Sequence, residues 1–377
     1  MKTRTYTLTT TLLVFCACLM QIAPALAKGP PPGKGPGNGD SGSAPDPKVI
    51  QAAPIKLGTS GGWADDLANG YCCGGTLGAL VEDASGQYIL SNFHVLAADR
   101  VSGGNTDTAD IGDVVIQPAL IDVGCNQDNA QPVATLEGWA DPLAGANVDA
   151  AIAQTVSGMV DATGAILGIG TPSSQTVAAS IRQRVKKMGR TTGLSSSKVS
   201  GLNATISVTY DTECAGPVRG TATFTGQIVI DNKGAKFLDS GDSGSLMVED
   251  TASNPRAIGL LFAGSSRTAI ANPIDDVLSA FSVTMVGEGA AAAAEAPADE
   301  DLAAAMKAQK ANARAFEAAP NAIGHAIGKN ANGKNANGKT ILKVYVEKDP
   351  AAARAALPSR VGGFPVIVEE TGKIVAF

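Results

Sequence analysis

From Ile55 onward the chain is a succession of short apolar runs separated by Gly, Asn and Asp. Residues 76–81 and Gln87–Ser91 are two such runs on either side of Asp83-Ala84-Ser85-Gly86, whose composition is that of a β-hairpin turn. Val114–Gln117, Ala150–Thr155 and residues 204–210, 224–230, 245–248 and 257–262 complete the predicted strands. Short strands with frequent turn signals predict a mainly β protein, built as an antiparallel sandwich or a pair of barrels. Residues 273–281 have the spacing of a short helix that closes this region.

The flanks read differently. Residues 28–54 begin with a Pro/Gly-rich stretch, 28–47, without periodicity, which predicts a tether. Residues 286–339 read as linker. Within them, 289–319 are Ala-rich with scattered Glu and Lys and predict a helix over 301–318, ended by Pro320. Its apolar face is thin (Leu302, Met306, Phe316), so it is expected to be a solvated spacer rather than a core element. Residues 328–339 repeat Gly-Lys-Asn-Ala-Asn, a low-complexity pattern. In residues 340–377 an alternating strand (341–346), a short helix (349–356) and a second strand (364–369) predict a small α/β unit. A unit of that size is near the lower limit of autonomous folding and is expected to borrow surface from the preceding region or from residues near His325.

Composition sharpens this picture in three ways. Aromatics are only 4% of the chain while Gly, Ala, Val and Thr are plentiful, which favours β packing of small residues. Residues 1–27 have Lys2 and Arg4, an apolar run through Leu12, Leu13, Val14 and Phe15, and Ala25-Leu26-Ala27, the layout of a secretory signal. The run is too short for a membrane anchor, so a secreted or periplasmic protein without stable membrane insertion is expected. A lipid anchor at Cys16 or Cys18 ranks lower because bulky Phe15 precedes the first. Cleavage after Ala27 leaves 27 basic against 35 acidic residues, a net charge of −8, with no basic patch; nucleic acid is excluded as a partner.

Four cysteines then remain, Cys72, Cys73, Cys125 and Cys214. An even count in an exported chain predicts two disulfides. Adjacent Cys72 and Cys73 are poor partners for each other, so each is expected to pair with Cys125 or Cys214, in either combination. A zinc site is disfavoured because the tandem pair lacks ligand spacing. No metal or organic cofactor motif is present, and no motif sets an oligomeric state.

The candidate chemistry centres on Gly241-Asp242-Ser243-Gly244-Ser245, a tight turn carrying a serine and running straight into an apolar strand. The same pentapeptide occurs at residues 39–43 inside the tether, so the letters alone prove nothing. The serine's partners decide. The chain has two histidines. His94 ends a predicted strand; His325 lies beside the Gly/Asn/Lys repeat and is expected in a loop or linker. A base such as His94 needs a carboxylate to fix its tautomer, and Asp149, a lone acid entering an apolar segment, offers one.

In the order His94, Asp149, Ser243 the chain resembles the chymotrypsin-like (trypsin-fold) serine proteases of secreted bacterial type. Ser91-Asn92-Phe93-His94-Val95-Leu96-Ala97 is similar to that family's Thr-Ala-Ala-His segment. Val148-Asp149-Ala150-Ala151-Ile152 is similar to its Asp-Ile-Ala-Leu segment, and 241–245 matches its nucleophile turn. Met188-Gly189-Arg190-Thr191-Thr192-Gly193 looks like the start of the second barrel in bacterial members. The resemblance covers about residues 55–285. It implies two antiparallel six-stranded β-barrels ahead of the small C-terminal α/β unit, a protein or peptide substrate, and a backbone oxyanion hole at Gly241 and Ser243. In animal members a freed N-terminus forms an ion pair beside the nucleophile; no activation site is visible before Ile55, so a pre-assembled site is expected.

The resemblance also bears on specificity. The residue six positions before the nucleophile lines the base of the primary pocket in the family; here that is Phe237, with Leu238 or Asp239 as alternatives. Phe237 argues against a pocket for Arg or Lys. Members that cleave after Glu use a pocket histidine, and none is left here once His94 is committed. Leu261-Phe262-Ala263-Gly264-Ser265 resembles the strand that pairs with bound peptide, and Ala271 a small pocket wall. A small or medium apolar residue before the scissile bond is implied. Two rival readings are a catalytically silent binding module of the same fold and a serine esterase of α/β-hydrolase type; in the latter the His follows the Ser in the chain, the reverse of the order here.

Overall fold

The computed structural model describes residues 45–98, 109–210, 220–234, 236–289, 300–330 and 338–376. The signal, the tether as far as residue 44 and Cys214 lie outside them. The chain forms two β-barrels, the architecture implied by the resemblance, followed by an α/β part.

The first barrel contains β1 (Thr59–Trp63), β4 (Gly75–Leu77), β5 (Ala79–Glu82), β6 (Gln87–Ser91), β7 (Val114–Gln117), β8 (Gln131–Ala140) and β9 (Ala150–Thr155); β2 (Leu67–Ala68) and β3 (Tyr71–Cys72) make a separate ribbon. The sheet order is β5-β6-β9-β8-β7-β1-β4. Because β4 and β5 are one strand interrupted at Gly78, this order closes a ring. Gly78 is required there: a Cβ would meet the Gly244 carbonyl oxygen at 1.9 Å. The registers place Leu80, Ile89, Val115 and Leu136 on one face, and these are buried with Val133 and Ile152 in one apolar cluster. A disulfide joins Cys72 to Cys125, with an S–S distance of 2.06 Å. Cys73 is also disulfide-bonded.

The second barrel runs β10 (Arg184–Lys187), β11 (Ser195–Tyr210), β12 (Gly220–Asp231), β13 (Leu246–Glu249), β14 (Ala257–Gly264) and β15 (Thr268–Pro273). Its order is β10-β13-β14-β15-β12-β11, and a β10–β11 pairing closes the ring. Phe237, Leu261, Ala269 and Ala271 share its apolar core with Val185, Ile228 and Met247. Helix α2 (Ile274–Phe281) follows, and β16 (Thr284–Met285) pairs with β5 of the first barrel.

Beyond residue 286 the structure departs from the linker expected there. Helix α3 (Glu300–Glu317) and strand β17 (Ala322–Lys329) occupy much of 286–339. β17 pairs with the long β11, with Thr205 opposite His325. It also pairs with β18 (Thr340–Val346), which is joined through α4 (Pro350–Ala356) to the parallel strand β20 (Phe364–Glu370); β19 (Arg360–Val361) flanks the last. The α/β part is thus continuous with the second-barrel sheet. Finally β21 (Val375–Ala376) returns to β14 and β11.

Two expectations are corrected here. His325 is not a loop residue: it is buried on β17, and Gln309 Nε2 lies 2.8 Å from its Nδ1. Helix α3 is not a solvated spacer: Ala305, Gln309 and Phe316 are buried against β17 and β18. Its contact face is built from alanine and the polar Gln309, whose Nε2 also donates to the Asn203 carbonyl (2.9 Å), so little of it registers as hydrophobic. Phe316→Ala is therefore expected to lower stability by about 3–5 kcal/mol in a denaturant titration. A solvated spacer would change by less than about 0.5 kcal/mol.

Candidate active site

His94 sits on a single helical turn, α1 (Phe93–Leu96), directly after β6. Phe93, Val95 and Leu96 are buried in the first-barrel core, which fixes the turn. Asn92 does not cap it; its Nδ2 donates to the Asp149 carbonyl (2.6 Å) and ties the turn to β9. Asp149 is held in place from the second barrel, its N–H donating to Asn272 Oδ1 (3.0 Å) on β15.

These constraints bring His94 Nδ1 within 2.6 Å of Asp149 Oδ2, with the side chains 1% and 0% exposed. The His94 backbone N–H donates to Asp149 Oδ1 (3.3 Å), and the Tyr210 hydroxyl donates to Oδ2 (2.7 Å). The Tyr210 ring also meets the His94 ring edge-on, 6.1 Å between centroids. A carboxylate accepting from Nδ1–H fixes the imidazole tautomer that carries its lone pair on Nε2, the form a general base requires.

Ser243 lies on the turn between the barrels. Gly241 (φ 90°) and Gly244 (φ 88°) hold left-handed backbone, and a Cβ on Gly244 would meet Ser91 Oγ and the Thr76 carbonyl, both at 2.2 Å. The turn is docked on the first barrel by Thr76 N–H to the Ser243 carbonyl (2.8 Å) and Thr76 Oγ1 to the Gly241 carbonyl (3.0 Å). Among the described residues, neither the Gly241 nor the Ser243 N–H is given to a protein acceptor. Both positions nominated for an oxyanion hole thus have a donor to spare. The Ser243 hydroxyl donates to the Phe262 carbonyl (3.3 Å), and the residue is fully buried.

Beside Ser243, Asp242 makes a buried ion pair with Lys187 of β10, Nζ to Oδ1 3.0 Å, both side chains 0% exposed. Burial pulls the Lys187 ammonium below its ordinary pKa, and Asp242 opposes that pull. The 188–193 segment wraps the same carboxylate. Thr191 and Thr192 donate backbone N–H groups to Oδ1 (2.8 and 3.1 Å), and Thr192 Oγ1 donates to Oδ2 (2.7 Å). Arg190 points the other way, gripping Asp122 of the first barrel with Nε and Nη2, each at 2.6 Å. The cation beside the serine is therefore an internal side chain rather than a freed N-terminus.

The pocket residues fall into two groups. Phe237 and Ala271 are 0% exposed within the second-barrel core, so they form an apolar floor inside the barrel and not an open surface. Leu238 shares that core, whereas Asp239 faces outward to Lys236. Ala263 and Gly264 end β14, and Ser265 opens the hairpin turn to β15, its N–H donating to the Thr268 carbonyl (2.7 Å). Sequence reasoning missed Lys187, Tyr210 and Asn272. A signal existed for the first two: Lys187 and Tyr210 occupy the inward phase of β10 and β11, set by Val185 and by Ala204, Ile206 and Val208.

Among the described residues no helix is long and apolar enough to cross a membrane, and no cluster of acidic, Cys and His side chains could hold a metal ion. A family model described as the Nal1 C-terminal domain matches residues 143–272. No curated protein sequence matches the chain. Among solved structures, a glutamic-acid-specific serine protease is similar at 18% identity, covering 61% of this chain and 100% of its own, with a TM-score of 0.40. Protease A of Thermobifida fusca is also 18% identical, covering 62% and 98%, TM-score 0.40. The chymotrypsin of Cellulomonas bogoriensis is 21% identical, covering 56% and 90%, TM-score 0.36.

Proposed function

We infer that the protein is an exported serine endopeptidase acting through His94, Asp149 and Ser243. The observation that carries this reading is the buried 2.6 Å contact of His94 Nδ1 with Asp149 Oδ2, at the barrel junction where Ser243 also lies. Ser243 Oγ attacks the substrate carbonyl carbon while His94 Nε2 takes its proton. His94 then returns that proton to the leaving amine, and water repeats the sequence on the acyl-enzyme. Charge on the tetrahedral oxygen is met by the Gly241 and Ser243 N–H groups, each worth about 3–4 kcal/mol in such a hole. The apolar surroundings of Phe237 and Ala271 favour a small or medium apolar residue before the scissile bond. Export is supported by the disulfide at Cys72 and Cys125.

A silent binding module is the second reading, favoured by the full burial of Ser243. Fluorophosphonate labelling separates the two, using the full chain, a chain ending at Glu370 and Ser243→Ala versions of each, with casein and p-nitrophenyl esters as substrates. Labelling lost in Ser243→Ala, with casein cleavage, is expected. Absence of labelling in every chain would establish the silent module, and ester turnover without peptide cleavage an esterase.

A further inference from the structure

Taking the protease reading as its basis, we propose that strand β21 occupies the protein's own substrate ledge, so that the folded chain is latent until β21 is displaced. The ledge is the end of β14. One edge of β14 is taken by β15, with Ala263 opposite Ile270 and Gly264 opposite Ala269. The other edge pairs with β13 through Leu246 and Leu260, and then meets the nucleophile turn, where Gly244 N–H donates to the Leu261 carbonyl (2.9 Å) and Leu261 N–H to the Ser245 carbonyl (3.1 Å). Just past that turn no barrel strand among the described residues pairs with this edge, and β21 fills it, Ala376 opposite Ala263 and Val375 opposite Gly264.

The polarity matches that of a substrate. β21 is antiparallel to β14, so its residues approach the nucleophile turn in N-to-C order. This is the direction in which the acyl half of a peptide must run to bring a carbonyl to Ser243. Pairing through main-chain hydrogen bonds with side chains in alternate pockets is strand addition, used here within one chain.

A clamp holds the strand from its far side. β11 pairs with it in parallel, Thr209 opposite Val375, and Thr209 N–H donates to the Ile374 carbonyl (3.0 Å). The next residue of β11 is Tyr210, whose hydroxyl donates to Asp149 (2.7 Å), so one residue and one hydrogen bond separate the clamp from the triad. Ile374 and Ala376 are 1% and 2% exposed in a cluster with Tyr210, Phe262 and Ala263. With β21 in place Ser243 and His94 are 0% and 1% exposed. The ladder on β14 is two residue pairs long, against five for β18 on β20, so few main-chain bonds hold β21 on the ledge. A substrate that replaces it must also fit its contacts, which selects small aliphatic side chains of the Val-Ala kind one and two places upstream of the primary pocket.

Three proteins test this: the full chain, the chain ending at Glu370, and full-length Ala376→Lys, whose long cation has no place in the apolar cluster. Fluorophosphonate labelling and hydrolysis of a fluorogenic Val-Ala peptide are expected to rise about tenfold or more in both variants, as for a site freed from an occupant bound nine-tenths of the time. The synthetic peptide Lys-Ile-Val-Ala-Phe, residues 373–377, is expected to inhibit the shortened chain competitively. Equal labelling of all three would overturn latency while leaving the protease reading intact. So would variants that melt cooperatively as the full chain does but gain no activity. Loss of cooperative melting in both makes β21 part of the core and also overturns the proposal. Labelling of none removes the protease reading itself.

Discussion

Asp149→Asn is expected to lower kcat by about four orders of magnitude while leaving the fold intact. The size follows from which atoms face the carboxylate. Oδ1 accepts the His94 backbone N–H (3.3 Å), a donor that cannot reverse. Oδ2 accepts from Tyr210 O–H (2.7 Å) and faces His94 Nδ1 (2.6 Å); a hydroxyl can rotate to accept, and a neutral imidazole can move its proton to Nε2. An asparagine amide therefore places its oxygen at Oδ1 and its NH2 at Oδ2. The NH2 then donates to Nδ1, and His94 is held with its proton on Nε2, where it cannot receive one from Ser243. Tyr210→Phe removes a single hydrogen bond to a charged acceptor, about 1.5–3 kcal/mol, and leaves the tautomer correct. Its loss is expected to be about tenfold to a hundredfold. Both comparisons use fluorophosphonate labelling rates in the chain ending at Glu370 and in the full chain. A loss of similar size in the two variants would mean that tautomer control at His94 is not what Asp149 provides.

The contrast between Asp149 and Tyr210 marks how far the sequence could be read. His94, Asp149 and Ser243 are chemically unusual residues set in apolar runs, so each announces itself locally, and two of them are in direct contact in the fold. Tyr210 reaches Asp149 only because β11 extends to 16 residues and carries its far end back over the triad, a length that no motif encodes. The strands were legible as short apolar runs separated by Gly, Asn and Asp in residues 55–285, and their closure into two barrels only through the resemblance. The α/β part was legible as elements but not as a sheet shared with β11, since β17 is short on large apolar side chains and its burial depends on Gln309 and Phe316 of a helix with a thin face. A two-residue strand such as β21 has no periodicity at all; only the register of its neighbours specifies it. The pairing of Cys72 with Cys125 is in the same class, because it depends on where the separate β2–β3 ribbon lies and spacing leaves that open.

Lys187→Met is expected to be the most damaging single change outside the triad, because it strands a buried anion. Asp242 is 0% exposed, and every group around it donates: Lys187, the Thr191 and Thr192 N–H groups and Thr192 Oγ1, with the Asp239 N–H on Oδ2 (3.0 Å). Removing the cation leaves the carboxylate with dipoles but no counter-charge, a loss of about 3–5 kcal/mol and a fall of roughly 10 °C in the melting midpoint. Asp242 immediately precedes Ser243, so any relaxation toward water rotates the Ser243 and Gly241 N–H groups away from the substrate oxygen; labelling is expected to fall together with stability. Lys187→Met combined with Asp242→Asn makes the argument specific. Replacing both charges removes the unpaired anion and is expected to recover part of the melting midpoint. It does not recover labelling, because an amide offers one acceptor oxygen where Oδ1 and Oδ2 both accept backbone N–H groups, and its NH2 must confront one of them. Recovery of labelling along with stability in the double variant would show that the pair serves only to hold the fold. Stability without labelling would show that the buried Lys187–Asp242 pair, and not stability alone, sets the oxyanion hole.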